Sequence, residues 1–272
     1  MGHDALPPDG SGSPIDATVP HSARIWNYWL GGKDNYAPDR EMGDRIAAYF
    51  PEIRENARGN RRFLDRAVRY LVGEAGIRQF LDIGTGLPTA SNTHDVAQGI
   101  APECRIVYVD NDPLVLAHAR ALLNSAPEGA TAYLDADVRD PRRILAGAAV
   151  TLDLTRPVAL VLCGVLQFVQ EDATAHDIVT TLLNALPPGS HLVLTHPTSE
   201  VRGERMEAAV RQWNEGGGNH MVLRDPAQVT RFFDGLDLLP PGVVPTTLWR
   251  PAATDIGTPD PIDDFGGLAR KP

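Results

Sequence analysis

At 272 residues the chain is long enough for one α/β domain with a large core. Its 43% hydrophobic and 22% charged residues are ordinary for a globular protein, and a formal net charge of −10 argues against a general nucleic-acid-binding surface. Two cysteines without disulfide or zinc spacing, no apolar run long enough to span a bilayer, and no signal-like opening at residues 1–20 point to a soluble protein in a reducing cytoplasm.

Residues 1–20, rich in Pro, Gly, Ser and Asp, read as a disordered tail. From His21 the pattern turns helical: Ala23, Trp26 and Leu30 share one face, Ile25 and Trp29 another, and Gly31-Gly32 stops the helix. Pro38-Asp39 opens a second helix carrying Met42, Ile46, Tyr49 and Phe50. A third, Asn60 to Ala75, carries Phe63, Leu64, Ala67, Val68, Leu71 and Val72. Residues 21–76 therefore form an N-terminal helical cap, and residues 77–272 the core.

In that core, strand and helix alternate. A strand runs into Phe80-Leu81-Asp82-Ile83, and others cover Arg105 to Asp110, Thr131 to Leu134, Pro157 to Cys163 and His191 to Thr195. Helices fall at Pro113 to Asn124, after Asp140-Pro141, from Asp172 to Leu186, at Val201 to Trp213 and at Pro226 to Phe233, with Gly216-Gly217-Gly218 as a flexible break. Val243 to Leu248 and Gly267 to Arg270 read as a closing hairpin. Strands joined by crossover-length helices demand a doubly wound, mostly parallel sheet, with ligands at the carboxyl ends of its strands.

Those strand ends carry the chemistry. Asp82-Ile83-Gly84-Thr85-Gly86-Leu87-Pro88-Thr89 is a strand-to-helix turn in which two glycines let backbone approach a ligand. Asp110-Asn111 ends the next strand, where an acid can accept both hydroxyls of a ribose. Asp137-Val138 follows the third, suited to an adenine amine and ring nitrogen. Cys163-Gly164 closes the fourth with small residues that leave room above the sheet. The candidate cofactor contacts are thus Asp82, Gly84, Thr85, Gly86, Thr89, Asp110, Asn111, Asp137, Val138, Cys163 and Gly164. A pyrophosphate cofactor such as NAD(P) shares the adenosine contacts, but Asp82 beside the glycines repels phosphate. It favours a zwitterionic, sulfonium-bearing donor: S-adenosyl-L-methionine.

Phe80-Leu-Asp-Ile-Gly-Thr-Gly-Leu-Pro-Thr-Ala-Ser-Asn-Thr-His-Asp-Val-Ala, together with Ala23-Arg-Ile-Trp-Asn-Tyr-Trp-Leu-Gly-Gly-Lys-Asp-Asn-Tyr36 and the terminal Gly266-Gly-Leu-Ala-Arg-Lys-Pro272, resembles an actinobacterial S-adenosylmethionine-dependent methyltransferase family once catalogued as a domain of unknown function. The resemblance runs from His21 to the end. It implies a class I methyltransferase fold of seven strands, the last antiparallel, binding S-adenosylmethionine through Asp82, Gly84, Gly86, Asp110, Asp137 and Val138. One departure is Leu166-Gln167-Phe168, where relatives usually carry Leu-His-Phe. In the aromatic prelude, Tyr28 and Asn35 are expected to face the methionine moiety and Trp26 or Trp29 to shape the acceptor site. The alternative is that these aromatics simply pack the cap onto the sheet.

Methyl transfer needs a general base only if the acceptor loses a proton. His94 and His196 are candidates by position, with a helix-start bond and a turn as their alternative roles. No catalytic residue is assigned, and no cluster has metal-ligand spacing. The expected activity is methylation of a small-molecule acceptor; cofactor binding without transfer, which the Gln167 departure keeps open, and NAD(P)-dependent oxidoreduction are the alternatives. The acceptor atom and the oligomeric state are not in the sequence.

Overall fold

Continuous apolar runs become the central strands. The computed structural model describes residues 16–88, 91–122, 125–216, 219–251 and 257–272, without the side chains at 118–122. Thr89, residues 1–15 of the expected tail, the Asn124 helix end and Gly217-Gly218 lie outside the described residues. Three helices come first: α1 (Ser22–Trp29), α2 (Ala37–Tyr49) and α3 (Ile53–Gly73). Then β1 (Gln79–Ile83), α4 (Thr93–Ile100), β2 (Arg105–Asp110), α5 (Pro113–Leu122), β3 (Ala130–Asp135), α6 (Pro141–Ala148) and β4 (Ala159–Cys163) alternate. They are followed by α7 (Asp172–Asn184), β5 (His191–Pro197), α8 (Glu204–Glu215), α9 (Pro226–Arg231), β6 (Asp237–Leu238), β7 (Val244–Pro245) and β8 (Asp264–Arg270).

The strands lie in the order β3-β2-β1-β4-β5-β8-β6, with β1 to β5 parallel and β7 paired to β8 off that path. β8 runs antiparallel to β5, so Asp264 opposes Pro197 and Arg270 opposes His191. The expected doubly wound, mostly parallel class I sheet is present, with two-residue β7 added to its seven-strand path. The strand order reverses between β1 and β4, the switch point at which such sheets bind ligands.

Both faces are covered. Phe63, Leu64, Val68 and Leu71 of α3 pack with Phe80, Ile106 and Val161 on one face. Ile144 of α6 and Ile178 and Leu182 of α7 pack with Leu81, Val107 and Leu160 on the other. Each fully buried Leu, Ile or Phe side chain contributes about 1.5–3 kcal/mol of transfer free energy, which is why β4 reads apolar without alternation. α1 and α2 instead join α8 in a third cluster of Ile25, Trp29, Met42, Ile46, Met206 and Trp213.

Several element ends depart from expectation, among them those of α3, α8 and β7. α3 begins at Ile53 rather than Asn60 and runs through Gly59, where a Cβ would lie 2.3 Å from Ile262 Cδ1. α8 begins after Val201 and Arg202, whose amides are held by the Asp263 carboxylate. After Pro245 the chain leaves the expected strand for a 3-10 turn over Thr246–Leu248. Near the N-terminus, Arg24 is 4% exposed and donates to the carbonyls of Asp16 and Val19, so the chain from Asp16 onward is held against α1.

Candidate functional site

The loop after β1 makes the floor of a cavity. Gly84 and Gly86 both have positive φ, +76° and +67°, the region L-residues avoid and glycine tolerates. Gly84 also needs to lack a side chain, since a Cβ there would lie 2.6 Å from Val165 Cβ. The Gly84 amide donates to Val109 O (2.8 Å), and the Gly86 amide to Asp110 Oδ2 (2.8 Å). Loop and β2 end are thereby locked together.

Asp82 lies beneath this loop, 5% exposed, and its Oδ2 accepts a 2.6 Å bond from Thr93 Oγ1. Burial pushes its carboxyl up to about 6, against the Thr93 bond and the Arg61 charge. Arg61, from α3, reaches the same cavity; its Nη2 lies 3.5 Å from Leu87 O and its buried Nε has no partner among the described residues. Burial lowers the guanidinium pKa, while the charge of Asp82 raises it. A carboxylate and a guanidinium thus share one wall and suit a zwitterion.

Asp110 Oδ1 accepts the Asp112 amide at 3.0 Å, and burial raises its pKa against the amides of Asp112 and Gly86. Asp112 caps α5 through Leu114 N and lies 2.8 Å from His21 Nδ1, tying the start of α1 to β2. Asp137 accepts the Arg139 amide (2.8 Å) and a 3.2 Å bond from Asn111 Nδ2. Arg139 bridges Asp137 to the carbonyl of Phe168 and closes this edge of the cavity. Gly164 (φ +70°) follows Cys163, whose thiol burial pushes well above its ordinary range. The Gly164 carbonyl accepts Gln167 Nε2 at 2.7 Å. That bond fixes the amide orientation and leaves Gln167 Oε1 buried without a partner among the described residues, in a residue 5% exposed that lines the cavity.

Asp82, Gly84, Thr85, Gly86, Asp110, Asn111, Asp137, Val138, Cys163 and Gly164 all line this one cavity. Thr89 is outside the described residues. Tyr28 and Asn35 are not on the lining, which corrects their expected placement toward the cofactor. The phase of α1 turns Trp26 and Trp29 inward and Tyr28 toward α2, where its hydroxyl donates to Asp44 Oδ1 (2.8 Å). Asn35 instead closes the turn after α1, donating to Asn27 Oδ1 (2.9 Å) and Gly32 O (3.0 Å).

His94 and His196 are not on the cavity lining. His94 is bound at both its amide and Nδ1 by the Tyr108 hydroxyl, at 2.7 and 2.8 Å. His196 is fully buried between Pro197 O and Arg224, 2.8 Å from each, and burial pushes it down to about 3. Arg61 and Arg139 are site residues that sequence reading missed; both are arginines without local motif, brought in by α3 and by the β3–α6 turn.

Away from the loops, the cavity is aromatic. Trp26 and Trp29 lie 6.0 Å apart, Trp29 and Trp213 6.2 Å, Trp213 and Phe168 6.0 Å, a run of rings contributed by α1, α8 and the turn after β4. Ile46, Ile53, Met206 and Met221 complete this wall, and Asn56, Asn60 and Asp264 give it a polar end.

A family model described as S-adenosyl methyltransferase matches residues 9–272. A DUF574 family protein from Streptomyces avermitilis is 45% identical over 95% of this chain and 100% of its own, with a TM-score of 0.90. A candidate methyltransferase from Thermobifida fusca YX is 39% identical over 94% of this chain and 97% of its own, with a TM-score of 0.86. A SAM-dependent methyltransferase from Anabaena variabilis, 11% identical, covers 96% of this chain and 98% of its own at a TM-score of 0.50, a likeness of fold alone. No curated protein matches the chain.

Proposed function

The chain belongs to the S-adenosyl methyltransferase family, and from that premise we propose how its cavity holds S-adenosylmethionine and where a small-molecule acceptor enters. The protein is an S-adenosylmethionine-dependent methyltransferase. When bound, that cofactor supplies an electrophilic methyl group on a sulfonium.

The observation that carries the residue assignment is the convergence of three strand-end carboxylates, Asp82, Asp110 and Asp137, on one cavity with positive-φ Gly84 and Gly86. Asp110 accepts the ribose hydroxyls, with the Gly86 amide fixing its orientation. Asp137 and the Val138 amide take the adenine edge, and Asn111 lies beside them. Arg61 takes the methionine carboxylate and Asp82 the ammonium group. The lack of a partner at Arg61 Nε is consistent with a ligand anion at that place. Cys163 and Gly164 leave room for the sulfonium.

Trp26, Trp29, Trp213 and Phe168 enclose the acceptor and exclude water, so alignment and desolvation do most of the catalytic work. An enclosed apolar wall suits a small molecule rather than a polymer. No helix among the described residues is long and apolar enough to cross a membrane; two free cysteines suit a reducing cytoplasm.

Calorimetry with S-adenosylmethionine and, separately, NAD tests the site. Binding of the first alone, weakened at least tenfold in Asp110→Ala, is expected. Equal binding of both, or no loss in the variant, contradicts the assignment. Incubation with methyl-labelled cofactor and fractionated metabolites then identifies the acceptor.

A further inference from the structure

Two neighbouring carboxylates open β8 and have opposite surroundings. Asp263 is tied down: its oxygens accept the amides of Val201 (2.7 Å) and Arg202 (2.9 Å). Asp264 is 4% exposed, and its Oδ2 accepts from Asn60 Nδ2 and Thr246 Oγ1, each at 3.1 Å. Its Oδ1 accepts no hydrogen bond from the described residues, and Asp264 lines the cavity. The β5–β8 register sets it opposite Pro197, at the same edge where the parallel strands end.

We propose that Asp264 is the base for methyl transfer to a hydroxyl oxygen carried on a ring-bearing, largely apolar acceptor; this rests on the cofactor-site reading above. The acceptor oxygen gains the methyl group and its proton passes to Asp264 Oδ1. The bonding pair of the broken carbon–sulfur bond stays on the sulfur of the S-adenosylhomocysteine product. Asp264 then releases its proton to water. A buried carboxylate with one oxygen held and one open is built to accept a proton from a neutral O–H group. The chain of rings from Trp26 to Phe168 sets the apolar, planar character of the rest. An ammonium acceptor fits less well: its lone pair is held by a proton that must leave before the nitrogen can attack.

Burial pushes Asp264 up to about 7, against the bonds from Asn60 and Thr246, so its proton exchanges near neutrality. Around it, Cys163 on β4 senses the charges of Asp82, Asp264 and Arg61, and its thiol is pushed well above the titrating range. Asn60 on α3, Thr195 on β5 and Thr246 are neutral, and Asp263 is bound by amides.

The test uses protein saturated with S-adenosylhomocysteine, the hydroxyl probe para-nitrophenol and its methyl ether para-nitroanisole. Absorbance across neutral pH reports the protonation state of the bound phenol. In the wild type the bound probe is expected to keep its proton to higher pH than the free probe, because a neighbouring carboxylate disfavours the phenolate. In Asp264→Asn that shift should shrink to the part that burial alone produces and affinity should fall about tenfold, while para-nitroanisole binds both proteins alike. Absence of para-nitrophenol binding, ionisation of the bound probe as in bulk water, or an unchanged variant overturns the proposal. Tighter binding of para-nitrobenzylammonium than of para-nitrophenol overturns it in favour of an amine. If Asp264→Asn does not fold, Asp264→Ser supplies the same comparison. Failure of S-adenosylhomocysteine to bind the wild type is instead a failure of the cofactor-site reading.

Discussion

Gly84 lies directly beneath Val165, so close that a Cβ on the glycine would sit 2.6 Å from Val165 Cβ. The loops after β1 and β4 therefore meet at the switch point only because residue 84 has no side chain. Gly84→Ala combines that clash with a φ of +76° and is expected to cost about 2–4 kcal/mol. Gly86→Ala meets nothing within 4 Å among the described residues and carries only the φ penalty, about 1 kcal/mol. Denaturant melts of the two variants measure the difference; equal losses contradict the contact.

Arg61 gives a sharper test of the cofactor's orientation. Arg61→Ala should weaken S-adenosylhomocysteine by roughly 1.5–3 kcal/mol, the worth of hydrogen bonds to a charged group. Methylthioadenosine has no methionine carboxylate and should bind wild type and variant equally. Calorimetry with both ligands checks this, and parallel losses place the carboxylate elsewhere.

Gln167→Leu separates structure from binding. The variant loses the 2.7 Å bond to Gly164 O but also removes the buried Oε1 that has no partner, so stability should change by no more than about 1 kcal/mol. Affinity for cofactor or acceptor should fall about tenfold if Oε1 receives a ligand hydrogen bond. A large stability loss without any affinity loss makes the residue purely structural.

Asp264 links the site to pH. Its folded-state pKa, about 7, lies above that of an unfolded aspartate, so the native state binds the extra proton between about pH 4 and 7. That term is fully present at low pH and is lost as pH rises through 7. Relative to wild type, Asp264→Asn should therefore become progressively more stable over this window, by at most about 4 kcal/mol. Melting both proteins across the range measures the difference curve; a flat difference contradicts the buried, proton-binding carboxylate.

Much of the sheet and the strand-end part of the lining were legible, because strand ends in an α/β chain are marked by apolar runs breaking into Asp and Gly. Asp82, Asp110, Asp137 and Gly164 follow from that local grammar. Arg61 did not, since one arginine in the run Arg61-Arg62 looks like any solvated helix charge until α3 crosses the strand ends. Asp264 precedes the Gly267 to Arg270 segment that reads as a strand and carries no motif of its own; only the antiparallel insertion of β8 beside β5 buries it. Tyr28 and Asn35 were misplaced by helix phase and turn bonding, which a motif does not show. His196 was legible as a strand-end residue but not as the partner of Arg224, which arrives from the segment before α9.

The central claim is that the switch-point cavity is the S-adenosylmethionine site oriented by Asp110. Titration calorimetry of S-adenosylmethionine against wild type and Asp110→Ala, with melting curves to confirm that both are folded, tests it most directly. The expected result is one site per chain in the wild type and at least tenfold weaker binding in the variant. Undiminished binding to folded Asp110→Ala, or no binding to the wild type, would contradict it.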